Sequence, residues 1–204
     1  MRTNYPETYE YFSRNRVKLE KRTDYGPEKG PFYMIFRLSE SKSTEWKVAY
    51  RDISTQLEAC VLPDMIQSLV GNKNLIVDHS AYFISTNGES ESHYVSGLLN
   101  SLPCRAFVQG LGRPKGGVPF IGLVQWMVAS LPVPRFDPSE ATHTEISTLS
   151  RAAHSNPLTA DSDVIPALNE AVSSLYNIND KELDQLARHF HMLRGELVVD
   201  LETR

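Results

Sequence analysis

Cysteine is scarce in this sequence, and its scarcity excludes two kinds of small protein. The chain has 204 residues but only 2 cysteines, Cys60 and Cys104, each inside an apolar run. Two distant thiols do not make the disulfide framework of a small secreted domain, and they are too few for a structural zinc site built on cysteines. We interpret both as buried thiols.

Long apolar runs are also missing. No stretch approaches the roughly 18 to 20 consecutive apolar residues that a membrane span needs, and the opening MRTNYPETYEY lacks a signal-peptide pattern. With 41% hydrophobic residues the chain is nevertheless able to build a core. We expect a cytoplasmic protein that does not associate with a membrane.

Catalytic signatures are absent as well. The sequence has no Gly-x-Ser-x-Gly, His-Glu-x-x-His or phosphate-loop motif. Pro63-Asp64 matches the start of one type of nuclease site, but no Asp/Glu-x-Lys follows at a suitable distance. His189 and His191 are two positions apart, which on a helix directs them about 200° from each other. We therefore predict no catalytic residue and no metal site in this chain.

Charge is divided unevenly along the chain, whose formal net charge is -4. Residues 1–51 and 105–135 each carry a net charge of +4, and the second block has no acidic residue. Residues 52–104 and 136–204 are acidic, at -5 and -7. Ordinary surface variation and a basic binding surface both remain open on charge alone, but an anionic partner would meet the two basic blocks.

The first part of the chain predicts a helix followed by short strands. Aromatic and apolar residues recur every three to four positions in residues 6–22, with Pro6 suited to a first turn. Residues 31–38 (PFYMIFRL) and 45–54 (EWKVAYRDIS) are typical of an antiparallel strand pair. Shorter apolar runs at 57–62, 75–77 and 81–85 predict further strands.

The second part predicts mainly helices. Residues 90–102 have a helical apolar face, whereas 109–117 (QGLGRPKGG) predict an exposed basic loop. After the proline-rich connector LPVPRFDP, residues 139–154, 163–176 and 180–193 predict helices, the last with Asp180 as its N-cap. We expect an α+β fold, a small mixed or antiparallel sheet with helices, in which residues 1–135 form one region and residues 136–204 a helical region packed on it.

The order of these segments resembles a known protein family. YPETYEYFSRNRVKLEKR, WKVAYRDIS, AYFIST, HYVSGLLNSLPCRAFV, LPVPRFDP and IPALNEAVSSLYNINDKELDQL are similar, in that order, to the C-terminal specificity region of TaqI-like and related type IIG adenine-specific DNA methyltransferases. The resemblance covers roughly residues 5–188 and implies a target-recognition domain that reads double-stranded DNA.

The same resemblance implies that the catalytic part lies elsewhere. In that family a preceding domain binds S-adenosylmethionine and transfers the methyl group. This chain has no Asn-Pro-Pro-Tyr element for a flipped adenine, since Asn156-Pro157-Leu158 lacks the second proline and the aromatic residue. We therefore expect no cofactor in this chain, with S-adenosylmethionine on a catalytic domain supplied in cis or as a separate subunit.

Two segments offer the side chains that DNA recognition needs. Cations contact phosphates, and forked or planar donors read base edges. The predicted DNA-binding residues of the strand pair are Arg37, Lys42, Lys47 and Arg51, and those of the loop are Gln109, Arg113 and Lys115. Lys47 and Arg51 are four positions apart, which places them on one face of a strand. A solvated strand face and a merely mobile surface loop are the alternatives.

The acidic residues 136–204 suit a different role, because they would repel phosphates unless turned away from DNA. They either complete the core of the domain or pack against a partner. The alternative function is accordingly a protein-interaction adaptor, or a degenerate remnant, that holds its partner with the acidic helices and their apolar stripe.

Overall fold

The structure is a computed structural model that describes residues 1–23, 26, 30–34, 45–69, 71–77, 80–114, 120–155 and 163–194. The chain divides into two compact units, Met1–Glu40 and Ser41–Arg204, so the boundary predicted at residue 135 lies inside the second unit. Within the described residues, eight helices accompany three small antiparallel sheets. The predicted α+β fold class is therefore confirmed.

The first unit contains two helices, α1 (Pro6–Arg14) and α2 (Arg16–Glu20). A single helix was predicted for residues 6–22, but the helical segment is interrupted at Asn15. An aromatic cluster follows, in which Tyr9 and Phe32 each meet the ring of Tyr33 edge-on. Arg22 donates hydrogen bonds to the backbone oxygens of Phe32 and Met34 at 2.8 and 3.2 Å. Residues 31–34 form a turn where a strand was predicted, and residues 35–38 lie outside the described ranges.

The second unit alternates short strands with helices. Its elements, in chain order, are β1 (Trp46–Arg51), β2 (Ile53–Ser54), β3 (Ala59–Pro63), β4 (Met65–Ser68), β5 (Gly71–Asn74), β6 (Ala81–Thr86), α3 (Glu89–Asn100), α4 (Leu102–Leu111), β7 (Arg113–Pro114), β8 (Ile121–Gly122), α5 (Gln125–Ala129), α6 (Ala141–Ser155), α7 (Val164–Leu175) and α8 (Asp180–Leu193).

Strand β1 lies at the centre of the largest sheet, whose order is β3-β1-β6. Val48 of β1 is opposite Val61 on one side and Ile84 on the other, and both pairings are antiparallel. The predicted pairing of β1 with residues 31–38 is therefore wrong, because both hydrogen-bonding edges of β1 are occupied. The strands predicted near residues 57–62 and 81–85 are present as β3 and β6.

One face of this sheet packs on α3, and the core continues into the helices behind it. Val48 and Tyr50 from β1 belong to the same buried cluster as Leu98 from α3. Ile146 from α6 and Val172 from α7 complete that cluster and have no exposed surface. The acidic helical region therefore contributes to the core of the second unit, since its apolar side chains face α3.

The outer edge of β3 is covered by polar side chains from two helices. Asn100 accepts a hydrogen bond from the backbone nitrogen of Ala59 at 3.0 Å and donates to its carbonyl oxygen at 2.7 Å. The backbone nitrogen of Val61 donates to Nε2 of His154 at 3.1 Å. These bonds satisfy backbone groups that an edge strand otherwise presents for unwanted pairing.

Two smaller sheets complete the unit. In the first, β8 lies between β2 and β7, and in the second, β4 and β5 form a hairpin. The hairpin and the helices α4 and α5 were not predicted from the sequence, whereas α3, α6, α7 and α8 were predicted to within a few residues. Helix α8 is capped by Asn179 and not by Asp180 as predicted, because Asn179 and Glu182 form a reciprocal capping box.

Candidate nucleic-acid interface

The seven predicted DNA-binding residues have different outcomes. Arg37, Lys42 and Lys115 lie outside the described residues. The other four are described, but they do not form one surface: Lys47 and Gln109 are buried, whereas Arg51 and Arg113 are exposed.

Lys47 is not available to a phosphate, which corrects the prediction for this residue. Its side chain has no exposed surface, and its Nζ lies 3.2 Å from Oδ1 of Asp64. Lys47 and Arg51 do alternate onto the same side of β1. That side is buried at Lys47 and Ala49 and open at the end of the strand, so Arg51 reaches solvent whereas Lys47 does not.

Gln109 is also corrected, because it belongs to a helix and not to an exposed loop. It lies near the end of α4 and is only 6% exposed. Its backbone oxygen accepts from the nitrogen of Gly112 at 3.1 Å. Within the described ranges, its side-chain oxygen is buried without a hydrogen-bond partner. A buried carboxamide cannot reach a base edge or a phosphate.

Arg51 and Arg113 are brought close together by the small sheet around β8. Arg51 ends β1, two residues before Ile53 of β2. Ile53 and Arg113 both pair with Gly122, one from each side of β8. Because paired residues of antiparallel strands project to the same face, Ile53 and Arg113 share the exposed face of this sheet. Arg51 is two residues before Ile53, so the backbones of the two arginines are within about 17 Å of each other although they are far apart in sequence.

A groove of about 530 Å³ runs beside Arg51. Its walls include Glu58, Cys60 and the segment from Leu75 to Val77. Cys60 is exposed and not buried as predicted, whereas Cys104 is buried. Partial desolvation beside the groove still raises the pKa of the Cys60 thiol, and the nearby positive charge of Arg51 opposes that shift in part. The thiol is consequently the protonated, weakly nucleophilic form at neutral pH. Among the described residues that line it, the groove offers the cation of Arg51 and the carboxylate of Glu58 to a ligand.

A second pair of arginines, Arg105 and Arg194, was not among the residues predicted to bind DNA. Arg105 on α4 donates to Oδ1 of Asn100 at 3.3 Å, and Arg194 after α8 donates to Oε1 of Gln56 at 2.5 Å. Burial lowers the pKa of Arg105, and the positive charge of Arg194 lowers it further, whereas Glu58 opposes both effects. Arg105 lies in the basic block 105–135, but it was not selected because α4 was not predicted. Arg194 was not selected because it follows an acidic helix.

A buried polar cluster joins α3 to α6. Nδ1 of His93 lies 3.4 Å from Oγ of Ser150, and Nε2 lies 3.9 Å from a carboxylate oxygen of Glu89. Burial, followed by the charges of His154 and Arg151, lowers the pKa of His93 to about 4. Serine, histidine and glutamate also make up hydrolase triads. Here Ser150 is only 2% exposed inside α6, so no substrate reaches its hydroxyl, and the cluster serves helix packing.

Comparisons with protein-family models and with curated proteins found no match. Among the described residues, no three His, Cys, Asp or Glu side chains are grouped in a way that would hold a metal ion. In the same ranges, no helix combines the length and the apolar character that crossing a membrane requires.

Proposed function

We propose that this chain is the DNA-recognition module of an adenine-specific DNA methyltransferase, or of a restriction-modification or antiphage system of related design. S-adenosylmethionine then binds a catalytic domain supplied in cis or by a separate subunit, and the assembly acts in the cytoplasm. The observation that carries the proposal is the convergence of Arg51 and Arg113 at the sheet around β8.

The spacing of the two arginines suits a DNA backbone. Ile53 and Arg113 are separated by one intervening strand, so their backbones are about 10 Å apart. Phosphates of one DNA strand recur every 3.4 Å or so along the helix axis. Arg51 lies two residues before Ile53, which adds up to about 7 Å to this separation. Two long, flexible guanidinium side chains within this distance can contact phosphates of one duplex.

The surroundings of the arginines also suit nucleic acid. Ile53 on β2 and Phe120, the residue before β8, are apolar side chains that remain 43% and 46% exposed. Exposed aromatic and apolar groups beside cations provide contacts to bases and to the methyl group of thymine. The resemblance to the methyltransferase specificity region supports the same function.

The test is duplex binding as a function of salt concentration. We expect the logarithm of the binding constant to fall linearly with the logarithm of salt, because bound phosphates release counterions. Arg51→Gln and Arg113→Gln should each reduce the slope by about 1. Arg188→Gln, on the exposed face of α8, is the matched control and should leave the slope unchanged. Absence of duplex binding even at low salt would overturn the proposal.

A second candidate, the protein-interaction adaptor, is favoured by a different feature. An apolar groove of about 220 Å³ is lined by Phe107, Leu131, Tyr176 and Ile178. An adjoining pocket shares the last two residues and includes Glu182 of the acidic helix α8. The fitting occupant is a partner segment that combines apolar side chains with Lys or Arg. Binding of such a partner, lost in Phe107→Ser, together with no DNA affinity, would favour the adaptor.

A further inference from the structure

The hairpin formed by β4 and β5 projects from the second unit. Seven of its eight strand residues are exposed, and the strands pack mainly against each other. Leu69 in the turn is fully exposed, and Gly71 opens β5 with φ of +89°, a conformation that glycine adopts readily. A two-stranded ribbon of this kind is available to a partner along its length.

One face of the hairpin gathers three carboxamide side chains. In the register, Gln67 is opposite Asn72 and Met65 is opposite Asn74. Because side chains alternate along each strand, these four residues share one face. Among the described residues, none of the three carboxamides has a side-chain hydrogen-bond partner, so their donors and acceptors face solvent.

The charge of the hairpin favours a polyanion over a basic partner. Residues 65–77 include Lys73 and contain no Asp or Glu. The carboxylate of Asp64, at the hairpin base, is paired with the buried Lys47. The backbone nitrogen of Leu75 donates to the carbonyl oxygen of Asp64 at 2.5 Å, which closes the base of the hairpin.

The hairpin also lies next to the exposed arginine of β1. Leu75, Ile76 and Val77 follow β5 directly and line the same groove as Arg51. A duplex whose backbone meets Arg51 would therefore pass close to the base of the hairpin.

We propose that the β4–β5 hairpin enters the major groove of duplex DNA, where the carboxamides of Gln67, Asn72 and Asn74 bind the edges of adenine bases. The major groove is about 12 Å wide and admits a two-stranded β-ribbon. Asn and Gln pair with adenine through its N6 amino group and N7. Met65, on the same face, meets the methyl group of the paired thymine. This inference rests on the proposed DNA-recognition function.

The experiment first selects duplexes that bind the wild-type protein from a pool with a randomised centre. Affinity is then measured for the selected duplex and for versions with 7-deazaadenine at one adenine at a time, which removes N7 but keeps base pairing. The variants are Gln67→Ala, Asn72→Ala and Asn74→Ala. The matched control is Gln185→Ala, an exposed carboxamide on α8. Urea unfolding midpoints confirm that each variant is folded, as expected for exposed side chains.

We expect each hairpin variant to bind the selected duplex roughly 5- to 150-fold more weakly, the range for one bidentate base contact. Each variant should lose discrimination at one base pair, become insensitive to 7-deazaadenine there, and keep the wild-type salt slope. Gln185→Ala should bind like the wild type.

Two other results separate the proposals. In the first, the wild type binds duplex through Arg51 and Arg113, but the hairpin variants bind like Gln185→Ala, or 7-deazaadenine has no effect at any position. This result overturns only the hairpin proposal. If the wild type binds no duplex, both proposals are overturned.

Discussion

The Nζ atom of Lys47 lies 3.2 Å from Oδ1 of Asp64, and the lysine side chain has no exposed surface. This ion pair connects the central strand of the main sheet to the base of the β4–β5 hairpin. Lys47 was expected to contact DNA phosphates, but this ion pair gives it a structural role instead. Its charge is compensated inside the fold, so its main effect is on stability.

Substitution of Lys47 should therefore weaken the fold. Lys47→Ala removes a fully buried side chain and leaves the largely shielded Asp64 carboxylate without this partner, which should lower the free energy of unfolding by about 3 kcal/mol. Lys47→Met keeps most of the packing and should cost less. Urea denaturation measures both changes. A salt slope for DNA binding that differs from the wild type in folded Lys47→Met would contradict the structural role.

Gly97 allows the close approach of α3 to α6. A Cβ atom at this position would lie 2.8 Å from Cγ2 of Ile146 and 3.1 Å from its backbone oxygen. Alanine gains about 1 kcal/mol of helix propensity over glycine, but overpacking costs about 1 to 3 kcal/mol. Gly97→Ala should therefore destabilise the protein by about 1 kcal/mol in thermal or urea unfolding.

Gly110 in α4 is the matched control for Gly97. A Cβ atom there meets nothing within 4 Å, so only the propensity gain remains. Gly110→Ala should stabilise the protein by up to about 1 kcal/mol. Equal effects of the two substitutions would argue against close packing of α3 on α6.

The N-terminus of α8 depends on Asn179. Its side chain accepts from the backbone nitrogen of Glu182 at 3.0 Å, and the Glu182 carboxylate accepts from the backbone nitrogen of Asn179 at 2.9 Å. Asn179→Ala should lower the free energy of unfolding by about 1 kcal/mol. Asp180→Ala should have a smaller effect, because Asp180 supplies only a favourable charge in the first turn. The reverse order, measured by urea denaturation, would show that Asp180 is the cap.

His93 should make stability depend on pH. Its pKa is about 4 in the folded protein against an ordinary value of 6.5. Between these values the unfolded chain binds a proton that the folded chain does not. The free energy of unfolding is therefore unaffected by this group above pH 6.5 and decreases as pH falls towards 4. The total decrease in the free energy of unfolding is up to about 3 kcal/mol.

Urea unfolding of the wild type and of His93→Gln between pH 4 and 7 tests this dependence. The variant should show a shallower decrease, because it lacks the imidazole whose pKa is lowered in the folded protein. His189→Gln, at an exposed position on α8, should keep the wild-type profile. Identical slopes for His93→Gln and the wild type would contradict the assignment.

Helix periodicity located α3 and α7, because each buries apolar side chains at helical spacing that is visible in the sequence. The helices α6 and α8 were also located, although each buries a single apolar residue, Ile146 and Phe190. The loop predicted at residues 109–117 overlaps the end of α4, because Gly110 and the glycines after it favour a loop, yet packing of Val108 and Cys104 in the core stabilises the helix. The hairpin was missed because its exposed strands lack the alternation of a half-buried sheet.

The sequence alone determined that this protein is an α+β chain with its positive charge in two separate segments. Tertiary structure alone decided which cations of those segments face solvent. Lys47 and Arg51 have the same charge and lie on the same side of one strand, but the fold buries the first near the start of the strand and leaves the second exposed at its end. The convergence of Arg51 and Arg113 also depends on long-range pairing through β8, and no local sequence pattern encodes such pairing.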